Sequence, residues 1–215
     1  MSVSQTEIVD ILVPPYFTKS GQTKTQEQAW HDQDWIGTFN LWIVQNDPVP
    51  AIVYQIRSPA SSWAPNKLDA TAGGHYQAGE ERADGLREVV EELGKHYRPD
   101  QLTFIGRKLH VAPDVHGFER RNIVDISFII DNTPLESYTL QPEEVYAICA
   151  CPIDDLIKAH SDPDYAFSAQ ALKSDGKRIT ITVRKDSFPD NWDDYHFKIA
   201  LLAERFVQGD QYLIY

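Results

Sequence analysis

Gly73-Gly74-His75-Tyr76-Gln77-Ala78-Gly79-Glu80 is followed, after six residues, by Arg87-Glu88-Val89-Val90-Glu91-Glu92-Leu93-Gly94. No other stretch narrows the fold so much. On a helical wheel of about 100° per residue with Leu86 at zero, Val89, Val90 and Leu93 fall within about 60° of it. Glu88, Glu91 and Glu92 gather on the opposite side. The pattern predicts a helix over residues 82–93 that docks on a sheet through Leu86, Val90 and Leu93 and turns its acids outward. Gly94 stops it. Like charges at i,i+3 and i,i+4 repel, so the cluster costs stability unless a cation sits among the acids. Hard divalent ions such as Mg²⁺ or Mn²⁺ take oxygen ligands of this kind. A solvated glutamate face is the commoner explanation of such a run taken alone. The Gly-Gly entry, Arg87 beside the acids and the Gly94 stop weigh against it.

The chain of 215 residues is long enough to bury a full core and reads as one domain, 1–215, with extensions. Its net charge is −12 and no run is rich in Lys or Arg, which argues against a nucleic-acid partner. Small phosphorylated substrates are not excluded, because metal ions can supply the positive charge. The segment MSVSQTEIVDILV has neither a basic start nor a long apolar core, so no signal peptide is expected. No stretch approaches the roughly 18 apolar residues of a membrane span. The two cysteines, Cys149 and Cys151, are i,i+2 in an expected strand and would share a face. Buried, reduced thiols in a cytoplasmic protein are the expectation.

Along the chain, residues 1–36 are polar and mixed, with a short strand expected over 7–13. Strands are predicted over 38–45 and 51–57, joined at Asn46-Asp47-Pro48 as a hairpin. A loop with Trp63 and Pro65 follows, then a brief strand over 68–72 leading into the glycines. Further strands are expected over 102–111, 122–130, 143–151 and 178–184, with a loop over 112–121 carrying His116, Glu119, Arg120 and Arg121. A short helix over 152–160 starts at Pro152. A last helix opens with Asp190 as cap and Asp193 and Asp194 in its first turn. It carries Phe197, Leu201 and Leu202 on its apolar side and ends near Gly209.

The glycine-to-helix stretch resembles the Nudix box, G-x5-E-x7-R-E-U-x-E-E-x-G-U, with U a bulky aliphatic residue. Gly74, Glu80, Arg87-Glu88, Val89, Glu91-Glu92 and Gly94 take its positions. Only six residues separate Glu80 from Arg87, one fewer than the pattern, and Lys95 holds the last aliphatic place. The resemblance implies an α/β (α+β) Nudix sandwich, a mixed β-sheet between helices. Its core covers about 37–160, with 1–36 as an N-terminal extension and 161–215 as a C-terminal hairpin and helix.

Flanking segments sharpen the likeness. Thr38-Phe39-Asn40-Leu41-Trp42-Ile43-Val44, Tyr54-Gln55-Ile56-Arg57-Ser58 and Trp63-Ala64-Pro65-Asn66-Lys67-Leu68-Asp69 resemble bacterial Nudix hydrolases close to isopentenyl diphosphate isomerase. That isomerase places a cysteine before its Gly-His pair. Here Gly73 precedes Gly74-His75 and brings no side chain for acid–base work, so hydrolysis is favoured. His75 resembles a metal ligand of the isomerase, though a histidine in a turn is more often structural.

What the resemblance implies is metal-dependent cleavage of a diphosphate linkage in a nucleoside-diphosphate-type or other small organic diphosphate. Glu88, Glu91 and Glu92, with Glu144 ahead of the strand ending at Pro152, would hold Mg²⁺ or Mn²⁺. Glu91 or Glu92 is the first choice of base and Glu144 the second, with Arg87 orienting the acids. Gly73 and Gly74 would let backbone approach the phosphates, and Arg57 and Lys67 could reach phosphate oxygens, with Arg120 and Arg121 as weaker candidates of the same kind. A surface salt bridge serves equally for Arg57 or Lys67, and solvated acids at a strand start serve equally for Glu143 and Glu144. Trp63, Tyr76 and Phe118 are candidates to stack on a ring. A non-catalytic ligand-binding or interaction module of the same fold is the rival reading. A homodimer is left open.

Overall fold

The computed structural model describes residues 7–113, 119–189 and 192–215. In chain order these form β1 (Ile8–Val13), β2 (Thr18–Thr25), α1 (Gln26–His31), β3 (Trp35–Gln45), β4 (Ala51–Arg57), β5 (Leu68–Asp69) and β6 (Ala72–His75). Then come α2 (Leu86–Leu93), β7 (Thr103–Pro113), β8 (Glu119–Ile130), β9 (Val145–Pro152), α3 (Ile153–Ser161), β10 (Phe167–Lys173), β11 (Arg178–Val183) and α4 (Tyr195–Val207). A 3-10 turn over Arg82–Gly85 leads into α2. No helix among the described residues is long and apolar enough to cross a membrane.

β3 organises the mixed sheet. One edge runs parallel to β8 from Trp35 beside Arg121 to Val44 beside Ile130. Its other edge is shared between β1 at Trp35, β6 from Thr38 to Leu41, and β4 from Ile43 to Gln45. A strand alternates its side chains between faces. Phe39, Leu41 and Ile43 therefore meet Leu86, Val89 and Leu93 of α2, while Trp42 and Val44 join the larger core under α3 and α4. The sheet thus lies between helices, as expected. Thr38 and Asn40, on the Trp42 face, interrupt that core with polar groups and open a cavity there.

Several expectations need correction. Residues 18–31 form β2 and α1, which the polar composition concealed: TKSGQTKT has no apolar residue and pairs with β1 as a largely exposed edge strand. The brief strand expected over 68–72 is interrupted after Asp69 and resumes at Ala72 as β6. The loop expected over 112–121 is shorter, since β7 and β8 reach Pro113 and Glu119; His116 and Phe118 lie outside the described residues. Asp190 also lies outside them. The last helix begins at Tyr195, so Asp193 and Asp194 precede it, and Asp193 is buried. Its buried side is formed by Ile199, Leu202 and Ala203, with Leu201 exposed. Cys149 and Cys151 are free, buried on one face, and 3.6 Å apart at sulfur.

The roll of α2 departs most from expectation. Val90 is 37% exposed, whereas Glu88 and Glu92 are only 7% and 4% exposed. The buried arc runs from Glu88 through Glu92, Val89 and Leu93 to Leu86, a roll of roughly 60° from the apolar stripe. Gly85 pins the start of the helix against β3: a Cβ there would stand 2.4 Å from the Phe39 ring. The two acids remain out of the apolar core because they turn into the polar cavity at the edge of β6.

Candidate active site

Close backbone approach builds the acidic end of the site. A Cβ on Gly74 would lie 2.2 Å from the Glu88 carboxyl, and one on Gly73 would lie 2.7 Å from both the Asn40 side-chain oxygen and the Phe39 carbonyl. Only glycine leaves that room. The Gly73 amide donates to Glu92 Oε2 at 3.2 Å. Arg87 ties the loop to the helix. Its Nε donates to Glu80 Oε1 at 3.0 Å, Nη1 to Glu91 Oε2 at 2.9 Å, and Nη2 to Glu88 Oε1 at 3.0 Å and the His75 carbonyl at 3.3 Å. Glu80 in turn accepts from the Gln77 amide at 2.7 Å. The turn over Gln77–Glu80 and the 3-10 turn absorb the six-residue spacing and still bring Glu80 to Arg87.

Burial governs the electrostatics here. It pushes the Glu88 carboxyl up to about 7 against the pull of Arg87, with Glu91, Glu7 and Glu144 adding to the rise. Glu92 is raised well above the ordinary carboxylate range by burial and by Glu88 and Glu144. Glu7 is raised too, chiefly by burial. These acids crowd one another in a poorly solvated place, where a proton or a cation relieves them.

The cavity has a volume of about 370 Å³. Glu88, Glu92, Glu144, Gly73, Gly74 and Arg57 all line it. Glu91 and Arg87 stand just behind, joined to each other; the Glu91 side chain is 55% exposed. Lys67 is not brought in: its ammonium bonds the Asp186 carbonyl. Arg57 is held in the wall by Ser61 Oγ at 2.7 Å, the Trp63 carbonyl at 2.9 Å and Asp69 at 3.4 Å. Trp63 also lines the cavity, whereas Tyr76 packs elsewhere, against Phe39 and Asp125. Arg121 is engaged with Gln33 and Glu119.

Other residues of the lining are cationic or carry donors. Lys108 is almost fully buried, with its ammonium 3.6 Å above the Tyr195 ring and 3.8 Å from Asp193. Burial pulls it down to about 8 against the opposing pull of Asp193. Arg120 stacks 4.0 Å over Trp30. His75 is neutral, pulled to about 4 by burial and by Arg120 and Arg57. Glu7, Gln26 and Trp30, before β3, and Tyr195, at the head of α4, complete the wall. Sequence reasoning missed Glu7, Gln26, Trp30, Lys108 and Tyr195, and nothing local marks them. Thr38 and Asn40 did carry a signal, as polar residues at alternate places in an otherwise apolar strand.

The family model of the NUDIX domain matches residues 38–173. The chain belongs to the NUDIX family. An uncharacterized Nudix hydrolase of Clostridium acetobutylicum is 29% identical over 188 residues, covering 84% of this chain and 89% of that protein. Nudix hydrolase 3 of Arabidopsis thaliana is 28% identical over 171 residues, covering 78% of this chain but 22% of that longer protein. Among solved structures, DR0079 of Deinococcus radiodurans superposes with a TM-score of 0.52 at 18% identity, over 72% of this chain and 89% of its own. That likeness supports the Nudix fold. The family match begins after Trp30 and ends before Tyr195, so residues outside it close the cavity.

Proposed function

We propose that the chain is a Mg²⁺- or Mn²⁺-dependent hydrolase of the diphosphate linkage in a small organic diphosphate. The observation that carries this reading is the pair Glu88 and Glu92, buried against Gly73 and Gly74 inside a cavity of a NUDIX-family chain. Among the described residues no three His, Cys, Asp or Glu side chains are gathered as a ready metal cage. The donor chemistry nevertheless fits a hard dication: two buried carboxylates with raised pKa values, and Glu144 and Glu7 lining the same cavity. Glu88 and Glu92 would hold the ion, with Glu144 at the rim. When bound, the ion neutralises diphosphate oxygens and lowers the pKa of a water.

The chain's own groups do the rest. Glu92 is the carboxylate chosen to take the water's proton, because it is held by the Gly73 amide and faces the cavity; Glu144 is the second choice. Arg57, fixed by Ser61 and the Trp63 carbonyl, meets a phosphate oxygen. Arg87 and Glu80 hold the helix acids in place, and Glu91 serves that lattice. Carbon-centred proton transfer of the isomerase kind finds no side chain at Gly73. A purely ligand-binding module gains nothing from two buried, mutually repelling acids. The test is phosphate release from a panel of organic diphosphates, nucleoside diphosphates included, with Mg²⁺ or Mn²⁺ and with excess chelator. Turnover that survives the chelator, or none on any member with metal present, overturns the reading.

A further inference from the structure

Three side-chain groups that line the cavity lack partners. Trp30 Nε1, Thr38 Oγ1 and His75 Nε2 are buried and without a hydrogen-bond partner among the described residues, and all three residues line the cavity. They are neighbours. Thr38 and His75 face each other across β3 and β6, and the Trp30 and His75 rings stand 5.7 Å apart. Leaving a buried polar group unpaired is costly, so three together mark a place prepared for something else.

Their chemistry narrows what that is. An indole N–H only donates. Gln26 Nε2 lies 2.6 Å from His75 Nδ1 and donates to it, which leaves the proton of the neutral ring on Nε2, also a donor. The Thr38 hydroxyl can donate as well. Another buried atom of the lining, Asn122 Oδ1, belongs to an amide that offers N–H after a flip about its last bond. The Arg120 guanidinium lies over the Trp30 ring, and the charges that bear on His75 are those of Arg120 and Arg57. Neighbouring donors beside a guanidinium suit an oxyanion, whereas a nucleobase edge demands alternating donors and acceptors.

We propose that Trp30, Thr38 and His75 form an oxyanion subsite that holds a phosphoryl group of the ligand, with Arg120 supplying charge. The subsite deepens the hydrolase reading and rests on it for its place: His75 follows Gly74, whose Cα abuts Glu88. A diphosphate then has one phosphoryl group beside the acids and the other against the donors. Trp30 lies outside the family match, so the N-terminal segment contributes a specificity-determining residue.

The experiment uses the full chain in excess chelator, with inorganic phosphate and pyrophosphate as probes. The five tryptophans give indole N–H resonances in a proton–nitrogen correlation spectrum, and Trp30→Phe assigns the one at issue while keeping a ring under Arg120. Either probe should shift the Trp30 resonance and raise the melting temperature. Trp30→Phe and Thr38→Val should each weaken phosphate binding about tenfold. Gln26→Glu, which draws the ring proton to Nδ1 and turns a lone pair toward the anion, should weaken it further. An unmoved Trp30 resonance in the wild type sinks the subsite, and so does wild-type affinity in Trp30→Phe and Thr38→Val. Hydrolysis with Mg²⁺ is scored separately. Turnover without a Trp30 response leaves the hydrolase and removes the subsite; a Trp30 response without turnover does the reverse.

Discussion

Glu88 and Glu92 share one short helix with Glu91 but meet different surroundings. The first two are buried against glycine backbone in the cavity, while Glu91 stands half in water and pairs with Arg87 at 2.9 Å. Chemically identical side chains have been sorted by where the sheet leaves room, and hydrophobicity did not decide it. Gly85 brings the helix hard against Phe39 and rolls Val90 out, while Gly73 and Gly74 leave a groove that admits the two carboxylates. In the inner pair burial and mutual repulsion outweigh the contacts of Glu88 with Arg87 and of Glu92 with the Gly73 amide. The outer acid lies beside solvent and the Arg87 guanidinium, which screen its charge.

Substitution tests that division most severely. Glu92→Gln and Glu88→Gln should each lower kcat about a hundredfold or more, since one removes the proposed base and both remove charge from the proposed ion site. Glu91→Gln should cost less than about tenfold, because it loosens Arg87 without emptying the cavity of charge. Steady-state kinetics on whichever diphosphate the panel identifies reads both. Equal losses at Glu91 and Glu92 would put the outer face of the helix into the chemistry and end the comparison.

This division was only half legible in the sequence. β4 matched its expected bounds, β3 and the hairpin between them were found, and Gly94 capped α2 at φ 63° as its position implied. Those features follow from local patterns: alternation, a turn, a left-handed cap. The roll of α2 does not, because a wheel ranks faces by hydrophobicity and contains no information about a groove cut by Gly73, Gly74 and Gly85. The donor wall was hidden for a second reason. Trp30, Lys108 and Tyr195 come from distant parts of the chain and meet only after β3, β7 and α4 have assembled. β2 and α1 stayed invisible because an exposed polar edge leaves no periodic apolar trace.

Acidity gives the next largest effect. The folded-state pKa of Glu88 is raised from 4.5 to about 7, so between those values the native state holds a proton that the unfolded chain releases. Stability from this group is complete below its unfolded pKa and is lost as pH rises through 7, on the order of 3 kcal/mol at most. Glu92 acts in the same direction. Metal-free protein should therefore melt at lower temperature as pH rises from about 5 to about 8. Glu88→Gln should flatten part of that fall, and Glu91→Gln should flatten it less, because it removes only one contribution to the rise at Glu88. Saturating Mg²⁺ should flatten it too, since a bound cation takes the proton's place. Melting curves across that range decide the matter, and a slope unaltered in Glu88→Gln would mean that the carboxyl is solvated.

The smallest effect concerns the other half of the same roll. Val89 is fully buried among Phe39, Leu41 and Leu93, whereas Val90 is 37% exposed. Shaving Val89 to Ala opens a cavity in packed core and should cost about 2 kcal/mol. The same change at Val90 should cost under about 0.5 kcal/mol, because alanine's better helix propensity offsets the little area it buries. Urea unfolding at constant pH measures both, with m-values held equal as the check that only stability has changed. Were Val90→Ala the more damaging, the helix would sit as its apolar stripe alone dictates, with Glu88 and Glu92 in water. The buried acid pair, and the cation chemistry built on it, would fall with that result.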